Sequence, residues 1–300
     1  MFTGCGTAMV TPFQRDGSLD EATLRKLILR QIDAGVDFLV PCGTTGESPT
    51  LSHEEHLRVV AITLELAKGR VPVVAGAGGY NTSEVMAMAR ELAAMGVDGI
   101  LSVTPYYNRP TQEGLYQHYR AIAEAAALPI ILYSVQGRTG VNIEPGTVAR
   151  LAAIDNIVGI KEASGSIAQM AAILNLVPDE FVVLSGDDAI TLPLIALGGK
   201  GVISVVSNEI PAAMSEMTRL AVRGNIWGAR EIHRRYHALM EVNFVESNPG
   251  PVKTAMAEMG LLEPVWRLPL VAPKRENRER IAGVLNTLRL VERVHAAVAN

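Results

Sequence analysis

The sequence of 300 residues is 48% hydrophobic and 19% charged. Its 27 basic and 31 acidic side chains give a formal charge of −4, and the absence of a basic block argues against nucleic acid as a partner. This composition excludes a disordered chain and favours an α/β enzyme of small metabolites, whose parallel strands are covered on both faces.

The N-terminal residues and the cysteines bear on location. Met1 to Phe13 lacks a basic segment followed by an apolar stretch, and no long uncharged apolar run follows. Cys5 and Cys42 lie in apolar surroundings without zinc-ligand spacing, as reduced and packed thiols do. We therefore expect a soluble cytoplasmic protein with neither a bound metal nor a membrane partner.

Short β-rich runs alternate with amphipathic stretches along most of the chain. Helical periodicity covers, for example, Glu21 to Asp33 and Glu54 to Leu66. The spacing predicts a (β/α)8 TIM barrel over residues 1–223, although six or more such units also fit an open doubly wound sheet. The β-rich runs begin near Cys5, Asp37, Val71, Asp98, Leu128, Ile157, Phe181 and Gly201.

The remainder, residues 224–300, has helical patterns and no strand signal. The patterns cover Ile226 to Phe244, Pro251 to Met259 and Asn277 to Val298, and Pro264 to Pro273 reads as a linker. We expect a C-terminal helical appendage that packs on the barrel or on a neighbouring subunit.

In a barrel, functional side chains gather where strands end. The second predicted strand runs into Thr44 and Thr45, whose glycine neighbours would let backbone N–H groups approach a small carboxylate closely. The alternative is a simple turn, with Ser52 as the N-cap of the next helix.

Two other patterns in this half of the sequence are weak. Gly76-Ala77-Gly78-Gly79 resembles a dinucleotide fingerprint, but Asn81 replaces the third glycine. His53 and His56 do not have the His-Glu-x-x-His spacing of a zinc site, so we expect solvent-facing histidines in a first helical turn.

Tyrosines close the fourth and fifth predicted strands. Tyr106, Tyr107 and Tyr133 could relay protons if another hydroxyl such as Thr44 joined two of them, or could simply pack. Nearby, Arg138 lies between two glycines, where its planar fork suits a carboxylate and a surface ion pair is the alternative.

Lys161 closes the apolar run that begins at Ile157, so its amine would sit at the end of a buried strand. Desolvation there favours the neutral amine, which attacks carbonyl groups to form a Schiff base. A lysine that reaches water along its own stem is the alternative.

These motifs together resemble the pyruvate-dependent class I aldolase family that includes dihydrodipicolinate synthase and N-acetylneuraminate lyase. Order and spacing match from Gly4 to beyond Phe244. The synthase branch in particular is suggested by three further segments. The matching motifs are Thr44-Thr45-Gly46-Glu47, Tyr106-Tyr107, Tyr133, Gly137-Arg138-Thr139-Gly140 and Lys161-Glu162-Ala163, and the three segments are Leu184 to Asp188, Gly201 to Ser204 and Asn248 to Lys253.

The resemblance implies roles for the matching positions. Lys161 would form the pyruvate imine and Tyr133 would shuttle protons, with Thr44 linking it to Tyr107 of a neighbouring subunit. Thr45 would hold the pyruvate carboxylate, Arg138 would bind the carboxylate of aspartate semialdehyde, and Gly186 and Ile203 would line the substrate site. No metal or organic cofactor is implied, and a homotetramer built as a dimer of dimers is suggested.

Some family members are inhibited by lysine bound at a subunit interface. The positions implied here all suit such a ligand except Tyr80, where the family usually has an asparagine whose amide contacts the ligand. We therefore expect weak or absent inhibition. The implied positions are Ser48, His53, His56, Tyr80, Glu84 and Tyr106.

One segment departs from the family pattern. The usual Tyr-Asn-Val-Pro is Tyr133-Ser134-Val135-Gln136 here, so a proline that fixes the backbone before Arg138 is missing. A synthase that condenses pyruvate with aspartate semialdehyde is our first hypothesis. An aldolase of the same family with another substrate and a catalytically silent small-molecule-binding paralogue are the alternatives.

Overall fold

The computed structural model describes residues 2–291 as a barrel of parallel strands surrounded by helices. The sheet order is β2-β1-β8-β7-β6-β5-β4-β3, and a parallel bridge between Leu39 and Val73 brings the two end strands together. This confirms the predicted (β/α)8 barrel over the open sheet. The strands are β1 (Gly4–Ala8), β2 (Phe38–Val40), β3 (Val74–Gly76), β4 (Gly99–Val103), β5 (Ile130–Ser134), β6 (Ile157–Glu162), β7 (Val182–Ser185) and β8 (Gly201–Ser204).

Helices follow the strands and cover the outside of the barrel. The helix predicted from Glu21 to Asp33 has those bounds, and the next extends the prediction by one residue at each end. The helices are α1 (Glu21–Asp33), α2 (His53–Ala67), α3 (Thr82–Met95), α4 (Gln112–Ala125), α5 (Gln136–Thr139), α6 (Pro145–Leu151), α7 (Ile167–Leu174), α8 (Thr191–Ala196), α9 (Pro211–Val222), α10 (Ile226–Val242), α11 (Gly250–Glu258) and α12 (Arg275–Leu288).

Local chemistry explains where these elements begin and end. Ser52 caps α2 in a capping box with Glu55, as the sequence predicts for Ser52. Gly96 ends α3 with φ +86°, a left-handed conformation that glycine adopts at little cost. Because these caps satisfy the free backbone groups of each helix, the chain turns back toward the sheet within a few residues.

Two apolar layers hold the barrel together. The interior is filled by side chains from several strands, including Phe38, Leu101, Ile131 and Leu184. A larger layer lies between the sheet and the helices, so both faces of the strands are buried. Cys5 and Cys42 are buried free thiols, as expected.

The C-terminal helices share a hydrophobic cluster with the barrel wall. Leu239 on α10 and Ile281 on α12 belong to the same buried cluster as Cys5 on β1 and Met214 on α9. The predicted linker separates α11 from α12, and the part of the predicted helix beyond residue 291 lies outside the described residues. The division at residue 223 stays a prediction.

Residues 2–291 contain no helix long and apolar enough to cross a membrane.

Candidate active site

Two of the predicted catalytic side chains meet inside the barrel. Tyr133 on β5 pairs in register with Lys161 on β6, and the Lys161 Nζ lies 4.3 Å from the centroid of the Tyr133 ring. Both side chains are buried. The sequence predicted that Lys161 would be the last residue of its strand. The strand continues to Glu162, so Lys161 is the penultimate residue. An amine and a phenol are therefore side by side in a desolvated space.

The predicted substrate-binding residues on the next strands adjoin this pair. Gly186 follows β7, and a Cβ there would lie 3.1 Å from Lys161 Cε and collide with Ala163. Ile203 on β8 is buried in the same interior cluster as Tyr133. The glycine leaves room for the lysine side chain, and Ile203 provides an apolar wall.

Thr44 and Thr45 lie in the loop that follows β2, at the same end of the barrel. Thr45 is buried, and its Oγ1 accepts a hydrogen bond of 2.9 Å from Asn248 Nδ2, while Thr44 is half-buried. Cys42 and Glu47 bracket the loop with φ of +55° and +54°, which is rare for residues other than glycine. The loop thus has a defined, strained backbone that needs support.

The predicted tyrosine relay is not assembled within one chain. Tyr107 has φ +68°, and its side chain is 92% exposed. Among the described residues, no hydrogen bond joins Thr44 to Tyr107 or Tyr133. Tyr106 instead packs edge-on against Tyr80, with 5.3 Å between ring centroids.

Arg138 is exposed on the single-turn helix α5, not in an irregular loop as predicted. It forms no ion pair with any residue in the range 2–291. The Arg109 guanidinium, which the sequence did not single out, lies beside the same helix, because a Cβ on Gly140 would be 3.1 Å from Arg109 Nε. Arg138 on α5 and Arg109 beside it thus bring two arginine side chains to this helix.

Hydrogen bonds support the segment that lacks the family's proline. Ser134 is buried, its Oγ donates to Asn142 Oδ1 at 3.3 Å, and it accepts from the Ile143 N–H at 3.2 Å. Thr139 Oγ1 bonds the Val135 carbonyl at 3.2 Å. The chain between Tyr133 and Arg138 is thus held without the proline.

Glu162 continues β6 after Lys161 and faces away from it. Its Oε1 accepts hydrogen bonds from Gln169 Nε2 at 2.9 Å and from the Ser164 N–H at 3.2 Å. Burial raises the pKa of Glu162, which these hydrogen bonds partly oppose. Through the hydrogen bond to Gln169, the Glu162 carboxyl group connects the outer side of β6, the strand that carries Lys161, to α7.

Sequence reasoning missed a buried ion pair beneath the Thr44–Thr45 loop. Glu47 Oε1 lies 2.6 Å from Lys253 Nζ, and both side chains are fully buried. Burial lowers the pKa of Lys253, and the negative charge of Glu47 opposes that effect. The sequence signals are a lysine within an apolar stretch of α11 and the place of both residues in segments that resemble the family.

The six positions implied for a regulatory ligand line one cavity of about 500 Å³. His53 is half-exposed and lies 2.9 Å from Glu91. His56 is buried and bonds the Gly76 carbonyl at 3.0 Å, so the prediction of a solvent-facing histidine is wrong for this residue. The His56 side chain, in the first turn of α2, points toward β3. Burial lowers the pKa of His56. The lining includes Ser48, His53, His56, Tyr80, Glu84 and Tyr106.

The chain is similar to named proteins along almost its whole length. The sequence model of the dihydrodipicolinate synthetase family matches residues 1–288. The 4-hydroxy-tetrahydrodipicolinate synthase of Koribacter versatilis is 54% identical over 94% of this chain and 96% of its own. That of Syntrophus aciditrophicus is 53% identical over 97% and 100%.

A solved structure agrees with these sequence relatives. The dihydrodipicolinate synthase from Thermotoga maritima superposes with a TM-score of 0.95 at 45% identity, covering 97% of this chain and 100% of that one.

Proposed function

Because the chain belongs to the dihydrodipicolinate synthetase family, we propose that it is a 4-hydroxy-tetrahydrodipicolinate synthase. This lyase condenses pyruvate with L-aspartate 4-semialdehyde in the biosynthesis of lysine and diaminopimelate. The observation that carries the proposal for the site is the buried Lys161 amine 4.3 Å from the Tyr133 ring. No carboxylate within residues 2–291 forms an ion pair with this amine, so its lone pair is available once the proton has left.

The lysine does the covalent chemistry in this scheme. The neutral Nζ attacks the ketone carbon of pyruvate, and loss of water from the carbinolamine gives the protonated imine. The imine withdraws electrons, so a methyl proton leaves and an enamine forms. The enamine carbon then forms a bond to the aldehyde carbon of the second substrate, whose oxygen takes up a proton, and the imine of Lys161 re-forms. The amino group of the second substrate attacks this imine carbon, which closes the ring and releases the Lys161 amine.

The neighbouring side chains bind the substrates and move these protons. Tyr133, whose ring centroid lies 4.3 Å from the lysine amine, gives and takes these protons. Thr45 and adjacent backbone N–H groups hold the pyruvate carboxylate. Arg138, exposed and free of ion pairs among the described residues, binds the carboxylate of the semialdehyde.

We propose a homotetramer, built as a dimer of dimers, in which Tyr107 completes the site of a neighbouring subunit. The exposure of its ring, at 92%, supports this assignment, as does the absence of a bond from Thr44 to Tyr107 in the described chain. Thr44 would then connect Tyr133 to the partner's phenol. We also propose that the enzyme works in the cytoplasm.

Trapping with borohydride tests the site. Reduction in the presence of pyruvate should add one pyruvyl group to Lys161, and Lys161→Ala and Lys161→Arg should abolish turnover, since a guanidinium stays protonated. Lys200→Ala, which removes a lysine at the opposite end of the barrel just before β8, is the matched control and should keep turnover. An adduct on another lysine would refute the assignment.

The aldehyde is tested separately with a panel of substrates. The proposed enzyme should prefer aspartate semialdehyde over sugar aldehydes, and a reversed preference would favour another aldolase of the family. Adduct formation without condensation of any aldehyde would favour a silent paralogue.

A further inference from the structure

The Thr44–Thr45 loop is attached to a helix outside the barrel. Glu47, which ends the loop, forms its ion pair of 2.6 Å with Lys253 on α11. Asn248, two residues before α11, donates to Thr45 Oγ1 at 2.9 Å. Two positions of one loop are therefore held by a single segment that belongs to none of the eight strand-helix units.

The ion pair is part of a larger set of contacts in which every partner touches the loop. Lys253 Nζ also donates to the Thr11 carbonyl at 3.1 Å, and Thr11 Oγ1 donates to the Gly46 carbonyl at 2.7 Å. The N–H of Arg267 bonds the second carboxylate oxygen of Glu47 at 3.3 Å. The positive φ of Glu47 is thus maintained by bonds to its own side chain.

A buried ion pair of this kind adds little to stability in comparison with a well-packed apolar pair, because both charges lose their hydration. The pair does, however, join the loop to α11 through two fully buried side chains. The Asn248 side chain donates a hydrogen bond to Thr45 Oγ1, which acts as the acceptor. The hydroxyl hydrogen of Thr45 is therefore available to donate to a carboxylate. That donation requires the loop to keep its position to within a fraction of an ångström.

We propose that the Glu47–Lys253 pair is a positioning device for pyruvate, which holds the carboxylate-binding loop in place from helix α11. The inference rests on the proposed function, in which Thr45 binds the pyruvate carboxylate. Glu47 and Lys253 touch no substrate themselves and act through Thr45.

Three variants separate positioning from stability. Glu47→Gln removes one charge and keeps the shape, Lys253→Met removes the other, and the double variant removes both. The single variants should be less stable than the wild type, since each leaves a buried charge unpaired. The double variant should regain a wild-type midpoint of unfolding in urea. Glu65→Gln, which removes the acid of the exposed pair with Arg25, is the matched control.

The decisive measurement is the pyruvate concentration that gives half-maximal borohydride trapping at Lys161. We expect it to rise at least about fivefold in both Glu47→Gln and the double variant, as loss of a charge-assisted hydrogen bond would produce. The KM for aspartate semialdehyde should change less than about twofold, because Arg138 lies on α5, outside the Thr44–Thr45 loop. Glu65→Gln should leave both values unchanged.

A rise smaller than fivefold in the folded double variant would overturn the proposal, because the pair would then serve stability alone. If that variant does not fold, the same criterion applies to Glu47→Gln. Failure of the wild type to form any adduct at Lys161 would instead refute the proposed function.

Discussion

Because of His118 on α4, we expect the protein to lose part of its free energy of unfolding in mild acid. The side chain is buried, its Nδ1 lies 2.9 Å from Thr82 Oγ1, and its Nε2 has no hydrogen-bond partner among the described residues. Burial lowers the pKa of His118 from its usual 6.5 to about 4. The folded protein therefore holds this histidine neutral at a pH where the unfolded chain protonates it.

The size of the effect follows from the difference between the two pKa values. At about 1.4 kcal/mol for each pKa unit, the full effect is about 3 kcal/mol. The folded pKa is depressed, so this stability is present above pH 6.5 and is lost as the pH falls toward 4. At pH 5 the expected loss is about 2 kcal/mol.

The assay compares urea unfolding at pH 7.5 and pH 5 for the wild type and His118→Gln. Buried carboxyl groups with raised pKa values, such as Glu162 and Asp188, change stability in the opposite direction, but they do so equally in both proteins. The variant should therefore lose about 2 kcal/mol less than the wild type between the two pH values. Leu115→Val, a buried substitution on the same helix, should lower stability equally at both. Identical pH dependence in wild type and His118→Gln would refute the reasoning.

Three further predictions concern the site. Arg138→Ala should cost about 2–5 kcal/mol in kcat/KM for aspartate semialdehyde while pyruvate trapping persists, and wild-type kinetics would contradict the substrate assignment. Mixing the inactive Lys161→Ala with a weakly active Tyr107→Phe, then reassembling the subunits, should restore sites that pair an intact lysine with an intact partner tyrosine; no recovery in confirmed hybrids would place Tyr107 outside the relay. Lysine should inhibit weakly at the initial rate and more strongly after Tyr80→Asn, and near-complete inhibition of the wild type at submillimolar lysine would show that Tyr80 is accommodated.

Local patterns predicted the alternation of strands and helices and favoured the barrel, although they also fitted an open sheet. Short apolar β-rich runs and amphipathic helices of regular spacing leave few topologies, and parallel strands then bring their carboxyl ends to one face. Lys161 and Tyr133 were predictable for this reason, because each lies within a residue of a strand end.

Contacts between distant segments could not be predicted in this way. Glu47 and Lys253 are 206 positions apart, and no periodicity links a glycine-rich loop to a lysine in the last part of the chain. The burial of His56 was missed because the order of residues in a first helical turn does not tell which side faces the sheet. Tyr107 was placed by resemblance, and its exposure depends on a backbone angle that the sequence does not reveal.

The attachment of the loop to α11 has a consequence for the growing chain during translation. All eight strands have been synthesised once Ser204 is in place, whereas Asn248 and Lys253 are added later. A nascent chain that has just completed α9, the helix after the last strand, has every barrel element but lacks the anchors of its carboxylate loop. The order of synthesis thus separates the folding of the barrel from the acquisition of a finished pyruvate site.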